Sequence, residues 1–165
     1  MTHEPRLTRE LRKLLNTQRV AALGTIDDAD KPFVSMVPFA IEQQFHCLVI
    51  HVSGLAAHTR NMQARNSVSL LVMQSELADE PVHALPRVTL EGVAELMQPG
   101  TSQWTACRAS YLARFAEAAP MTELGDFKFV AIKVTAARQV AGFGTARSLD
   151  EVEINLVLGA RWQHT

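Results

Sequence analysis

A chain of 165 residues, 47% apolar and with a formal net charge of −1, has enough material for one domain with a substantial core. That balance excludes an intrinsically disordered chain and the bulk basicity of a nucleic-acid binder. The opening MTHEPRLTRELRKLL lacks the apolar segment of a secretory signal, and no apolar run approaches the ~20 residues of a spanning helix. The expectation is a soluble, cytoplasmic protein that engages neither nucleic acid nor membrane.

In chain order, Leu7 to Arg19 reads as an amphipathic helix, with Leu7, Leu11, Leu14 and Leu15 on one face and Thr8 placed to cap it. Val20 to Ile26 has the β-branched and small apolar residues of a strand, and Asp27 to Pro32 is a turn signal. Phe33 to Ile41 and Phe45 to Val52 read as a hairpin joined through Glu42, Gln43 and Gln44. Pro38 inside the first of these predicts an edge strand or a bulge. Cys47 and Cys107 lie far apart in the sequence without a CxxC pattern, which predicts two free, semi-buried thiols.

A helix is expected over Leu55–Arg65, and Val68 to Met73, apolar at nearly every position, predicts a strand buried on both faces. A polar loop from Gln74 to Leu85 precedes a strand over Arg87–Met97. Trp104, Cys107, Tyr111, Leu112 and Phe115 recur at helical spacing, predicting a helix over about 102–118. Phe127 to Val140 is a long strand pattern that runs into Gly142-Phe143-Gly144. About six strands and three helices, joined mainly by short turns, predict a mainly β, antiparallel sheet curled into a barrel as a single domain over 1–165.

The chemistry concentrates between Ser53 and Asn61. There a strand hands over to a short helix carrying His58, Thr59, Arg60 and Asn61, four side chains that can all donate hydrogen bonds. Helix starts carry unpaired N–H groups and partial positive charge, so this stretch is a candidate seat for an anionic group. Gly142-Phe143-Gly144-Thr145-Ala146-Arg147 fails the dinucleotide fingerprint for want of a third glycine and a βαβ unit. His46 and His51, five apart on a strand, point to opposite faces, and His46 reads as a core histidine. No HxxxH pattern, Cys/His cluster or nucleophile elbow is present, so no metal centre is expected.

Eight words in fixed order carry a family resemblance: ALGTID from Ala22, PFVSMVPFA from Pro32, SGLAAHTRN from Ser53, SVSLLV from Ser67, PRVTLEGVAEL from Pro86, YLARF from Tyr111, LGDFKF from Leu124 and GFGTA from Gly142. The chain resembles the FMN-binding split barrels related to pyridoxamine 5′-phosphate oxidase, and specifically their haem-utilisation branch. The resemblance implies a six-stranded split barrel that forms a homodimer, with two FMN sites at the subunit interface. It implies that Ser35, Met36 and Val37 offer backbone to the flavin ring. By the same carry-over His51, Val52 and Ser53 line its ribityl chain, and His58, Thr59 and Arg60, beside Asn61, hold its phosphate. Arg87 would reach in from the second subunit.

Where the oxidase proper has two consecutive basic residues on its phosphate helix, this chain has Ala57 and His58, and its end runs Arg161-Trp162-Gln163-His164 in place of an Arg-x-His. Pyridoxamine-phosphate oxidation is therefore not the expected activity. The leading expectation is an FMN-dependent oxidoreductase of unassigned small-molecule substrate. Two alternatives stand beside it. One is haem binding and degradation, in which the resemblance implies His164 as axial ligand with Asp126 as its polar partner. The other is a cofactor carrier without catalysis.

Overall fold

The computed structural model describes residues 4–159. Helix α1 (Arg6–Thr17) buries Leu11, Leu14 and Leu15, as its leucine spacing predicts. Thr8 does not cap it: the helix begins after Pro5, and the Thr8 hydroxyl pairs with the Arg147 guanidinium at 3.3 Å.

The strands follow as β1 (Val20–Ile26), β2 (Pro32–Pro38), β3 (Ala40–Glu42), β4 (Cys47–Ser53), β5 (Ser67–Met73), β6 (Arg87–Leu96), β7 (Phe127–Val140) and β8 (Ala146–Asp150). Helix α2 (Ala57–Ala64) lies between β4 and β5, α3 (Ser102–Arg114) between β6 and β7, and α4 (Glu151–Leu158) follows β8. Every pairing is antiparallel. The strand path runs β2-β1-β5-β6-β7-β4-β3, with β8 added alongside β7. Its two ends, β2 and β3, are consecutive in the chain and separated only by Phe39, so the sheet must curl until its ends meet. The result is the curled, antiparallel half-barrel expected from the sequence. A bulge at Glu91/Gly92 helps the bend; a Cβ on Gly92 would come within 2.5 Å of the Lys133 carbonyl, so no side chain fits there.

Among the described residues eight strands appear where six were predicted. Pro38 cannot donate to a ladder, and it ends β2 on an edge, splitting the expected Phe33–Ile41 strand in two. Strand β8 and helix α4 were not anticipated. Asp150 opens α4 through a capping box with Glu153, each side chain accepting the other's backbone N–H.

The interior holds Leu23, Val37, Ile50, Leu70, Leu90 and Ile132, closed by leucines of α1 and by Ile154 and Leu158 of α4. A second cluster lies on the opposite face of β4 and β7, under α3: Cys47, Val49, Phe129 and Ala131 meet Cys107, Tyr111 and Phe115. Strand β4 is thus buried on both sides. Strand β5 is not, contrary to expectation. Val68, Leu70 and Val72 point inward, while Ser67 and Met73 are exposed because no described helix covers that side. His46 is also corrected: it is exposed, in the left-handed region (φ 50°) of the turn before β4.

Arg12 fastens α1 to the end of α4. Almost wholly buried, it donates to the carbonyls of Leu156, Val157 and Gly159 at 2.8, 2.6 and 2.9 Å, the orphan acceptors at the end of α4. The end of α4 rests on the turn before β4, where a Cβ on Gly159 would come within 3.2 Å of the His46 ring.

Candidate functional site

Strand β4 ends at Ser53, and the chain turns sharply into α2. The turn is held by the Gly54 N–H, which donates to the Asp126 carbonyl at 2.6 Å. A Cβ on Gly54 would sit 3.0 Å from that oxygen, which is why glycine occupies the position. The Ser53 hydroxyl donates to the Asp126 carboxylate at 3.2 Å and accepts from the Leu55 N–H.

Each of the four donors on α2 has a partner within its own protomer. The Thr59 hydroxyl, fully buried, donates to the Ser53 carbonyl at 2.6 Å. The buried Asn61 amide donates to the Thr25 hydroxyl at 3.0 Å, tying α2 to β1. His58 Nδ1 lies 3.0 Å from the Ser35 hydroxyl, tying α2 to β2. Arg60 is exposed and folds back on the Leu55 carbonyl at 2.8 Å. Burial lowers the pKa of His58, which disfavours a cationic ring. Asp126 adds a carboxylate beside Ser53. As arranged, this donor set offers a phosphate dianion one exposed guanidinium and a neighbouring negative charge, which is a poor fit.

The pleat divides the other expected contacts. Val52 points into the barrel interior and Val37 does likewise. His51 and Ser53 face the other side of β4. There His51 is wedged against Phe127, Phe129 and Tyr111, with ring centroids at 5.1, 4.5 and 5.7 Å. Its Nδ1 is buried without a hydrogen-bond partner, and burial lowers its pKa.

A different surface collects the remaining residues. On the outward side of β1, β2, β5 and β6, Met36, Ala22, Leu71 and Thr89 align across four strands. The next row is Val34, Gly24, Ser69 and Glu91. Small residues floor the centre, and Val34 (67% exposed) and Met36 (64%) stand at the β2 edge. Helices α1 and α2 reach these strands from the inner side, through Leu11 and Leu15 and through Asn61 on Thr25, so no described helix covers this face. Arg87 lies on the same side, opposite Met73, with its guanidinium on the Leu85 and His83 carbonyls. It pairs with Val140, at the far end of β7 from the Phe127 that pairs with Ser53. Arg87 therefore cannot meet the α2 cluster of its own chain.

The structure thus brings Ser35, Ser53, His58, Thr59, Arg60, Asn61 and Asp126 together around α2, and places Met36 and Arg87 on the outward face and Val37 and Val52 in the core. His164 lies outside the described residues. Sequence reasoning missed Thr25, which anchors Asn61, and the aromatic wall around His51. The inward phase of Thr25 within β1 and the alternation of Phe127 and Phe129 were the available signals. Among the described residues no group of three or more His, Cys, Asp or Glu side chains is placed to hold a metal ion, and no helix is long and apolar enough to cross a membrane.

The profile of the pyridoxamine 5′-phosphate oxidase family matches residues 7–141. Among curated proteins, the chain is similar to the haem oxygenase HutZ of Vibrio cholerae, at 28% identity over 142 residues, covering 86% of this chain and 80% of that one. It is also similar to the chloroplastic non-canonical haem oxygenase HOZ of Arabidopsis thaliana, at 32% identity, covering 83% of this chain but 41% of that protein. Among solved structures, a haem-binding protein from Mycobacterium smegmatis superposes with a TM-score of 0.81 at 27% identity, over 93% of this chain and 62% of that one. The structure of Vibrio cholerae HutZ, described as a haem storage protein, superposes with a TM-score of 0.70 at 26% identity, over 78% and 89% respectively. The chain spans less than two thirds of the Arabidopsis protein and of the mycobacterial chain.

Proposed function

This chain belongs to the pyridoxamine 5′-phosphate oxidase family, and within that family we propose that it binds haem between two copies of itself and degrades it. The observation that carries this reading is the bare outward face of β1, β2 and β5. A flat floor of Ala22, Gly24 and Ser69, edged by Val34, Met36 and Leu71, suits a broad planar macrocycle with apolar faces. Strand β2 is also a sheet edge with apolar side chains exposed, a feature that calls for covering by another chain. The similarity to two haem oxygenases and to haem-binding structures supports the same occupant.

The roles of the chain's own residues follow from charge and position. Arg87, which shares this face with the exposed Arg138 opposite Thr89, would pair with a propionate carboxylate. The Asp126 carboxylate, exposed beside Ser53, accepts the ring N–H of a ligating histidine, fixing its tautomer and raising its basicity. His164 is assigned as that ligand. Bound haem would supply the iron centre for dioxygen chemistry, with electrons from an external reductant.

FMN is the competing occupant, supported by the family itself. Its phosphate would have to draw Arg60 off the Leu55 carbonyl and tolerate Asp126. Parallel titrations with haem and FMN, followed by ascorbate in air, test the reading. The expected result is a Soret band saturating at one haem per protomer, altered in His164→Ala, that decays on reduction. A protein that takes up FMN and leaves haem as the free species overturns it in favour of a flavoprotein. Haem held intact through prolonged reduction overturns the degrading activity and leaves a carrier.

A further inference from the structure

Strand β7 continues the outward face beyond β6, and each of these two strands sends one arginine out of it. Arg87 of β6 stands opposite Val140 of β7, and Arg138 of β7 stands opposite Thr89 of β6. The two are diagonal neighbours, two residues off register on adjacent strands, with Cα atoms roughly 7–8 Å apart. The phase of β7 sets the direction: Ala137 and Gln139 are buried, and Arg138 between them is exposed. The Arg138 guanidinium donates to the Ser148 hydroxyl of β8 at 3.2 Å, and that of Arg87 donates to the Leu85 and His83 carbonyls. Among the described residues neither arginine pairs with a carboxylate.

The face is polarised along one row. Met36, Ala22, Leu71, Thr89 and Arg138 align across the adjacent strands β2, β1, β5, β6 and β7, about 19 Å at the usual strand spacing. Its β2 end is apolar, where Val34 and Met36 stand exposed, and its β6–β7 end is cationic. Glu91 and Asp150 lie on either side of Ala136, two residues along β7 from Arg138 and away from Arg87. Carboxylates therefore bound the cationic corner on that side. The gap between Arg87 and Arg138 is left as the place for added negative charge.

Resting on the haem reading above, we propose that Arg138 is the second carboxylate anchor of that site, and that Arg87 and Arg138 together fix how the macrocycle lies in its plane. Haem carries its two propionates side by side on one edge and only vinyl and methyl groups on the opposite edge. Two guanidinium groups at one end of the row, with Val34 and Met36 at the other, match that polarity in one rotational setting: propionates over β6 and β7, apolar edge over β2. Half a turn in the plane would press both carboxylates against apolar side chains and leave both cations without them. To make its charge-assisted pair, Arg138 gives up only an exposed bond to a neutral hydroxyl. The ligand class is then a planar macrocycle with two acidic chains on a single edge, and Arg138 is a specificity-determining residue for it.

Absorbance titrations compare haem with its dimethyl ester, which keeps the ring and the iron and loses both negative charges. Wild type should bind haem roughly tenfold or more tighter than the ester. Arg138→Gln should lose roughly tenfold in haem affinity but less than about twofold for the ester, with Tm unchanged because Arg138 is exposed. The double variant Arg87→Gln/Arg138→Gln should bind the two ligands alike. Haem affinity in Arg138→Gln within about twofold of wild type overturns the proposal. So does an equal loss for haem and ester, which marks an effect on the fold, or a wild type that binds both equally. Wild-type protein that leaves haem as the free species overturns the haem reading itself and takes this assignment with it, an outcome distinct from haem bound without regard to Arg138.

Discussion

Replacing Arg12 with methionine keeps most of the side chain's apolar stem and deletes the guanidinium that holds the end of α4. Three carbonyls, those of Leu156, Val157 and Gly159, then lose a charged donor in a region where Arg12 itself is only 6% exposed. A hydrogen bond to a charged group is worth about 1.5–3 kcal/mol, but three bonds from one fork do not add in full. The pair with Glu4 is discounted, because that carboxylate is a third exposed. The expected loss is about 3–5 kcal/mol, in line with removing one partner of a buried charged network. In a domain of this size each kcal/mol moves Tm by roughly 2–4 °C, so the melting point should fall by roughly 6–20 °C. Urea unfolding gives the free energy, and amide hydrogen exchange gives its location. Protection should be lost first in α4, where the Asn155 carbonyl accepts the last helical N–H from Gly159. Arg12→Lys should fall between the two, since an ammonium cannot fork across three acceptors. A loss below about 1 kcal/mol, or exchange unchanged in α4, would refute the clamp.

The internal partners of α2 make a contrast between neighbours. Asn61→Ala should cost about 1–1.5 kcal/mol by removing the buried donor to the Thr25 hydroxyl, which keeps its own bond to the Phe33 carbonyl, whereas Arg60→Ala, exposed, should stay within about 0.5 kcal/mol in the same urea titration. Equal costs would contradict the division of these donors into buried and exposed. Burial holds His51 and His58 below the ordinary imidazole value of 6.5, so the unfolded chain takes up protons first. Stability is then at full strength above that value and falls as the pH drops below it toward the folded-state values. His51→Phe, which suits the aromatic wall and removes the unpartnered Nδ1, should flatten part of that acid limb in a plot of Tm against pH; an unchanged limb would show that His51 does not contribute.

Long, strongly patterned elements were readable from the residues alone. Strands β1 and β7 have the bounds predicted, β1 from its β-branched and small apolar residues and β7 from its alternation, and the leucine spacing of α1 maps to its buried face. Strand β8 was not readable because ARSLD has no alternation, although Asp150 and Glu153 stood at capping-box spacing ahead of α4. Strand β5 was misjudged because an apolar run does not say whether a second layer exists to cover it.

The Ser53–Asn61 stretch is the strand-to-helix handover that its residues suggest, but its four donors are not aimed at one point. Successive residues on a helix turn by about 100°, so four in a row cannot aim at one ligand. Thr59 and Asn61 turn inward and Arg60 outward. The outward face was invisible for a related reason. It is assembled from β1, β2, β5 and β6, and only the pairing registers place Met36, Ala22, Leu71 and Thr89 in one row.

The most direct test places a charge on that row. Met36→Asp substitutes a side chain that is 64% exposed in the isolated protomer, so folding should be little affected. Light scattering combined with haem titration should show a wild-type dimer that binds haem and a folded Met36→Asp monomer that does not. A Met36→Asp protein that stays monomeric and yet binds haem as the wild type does would contradict the account.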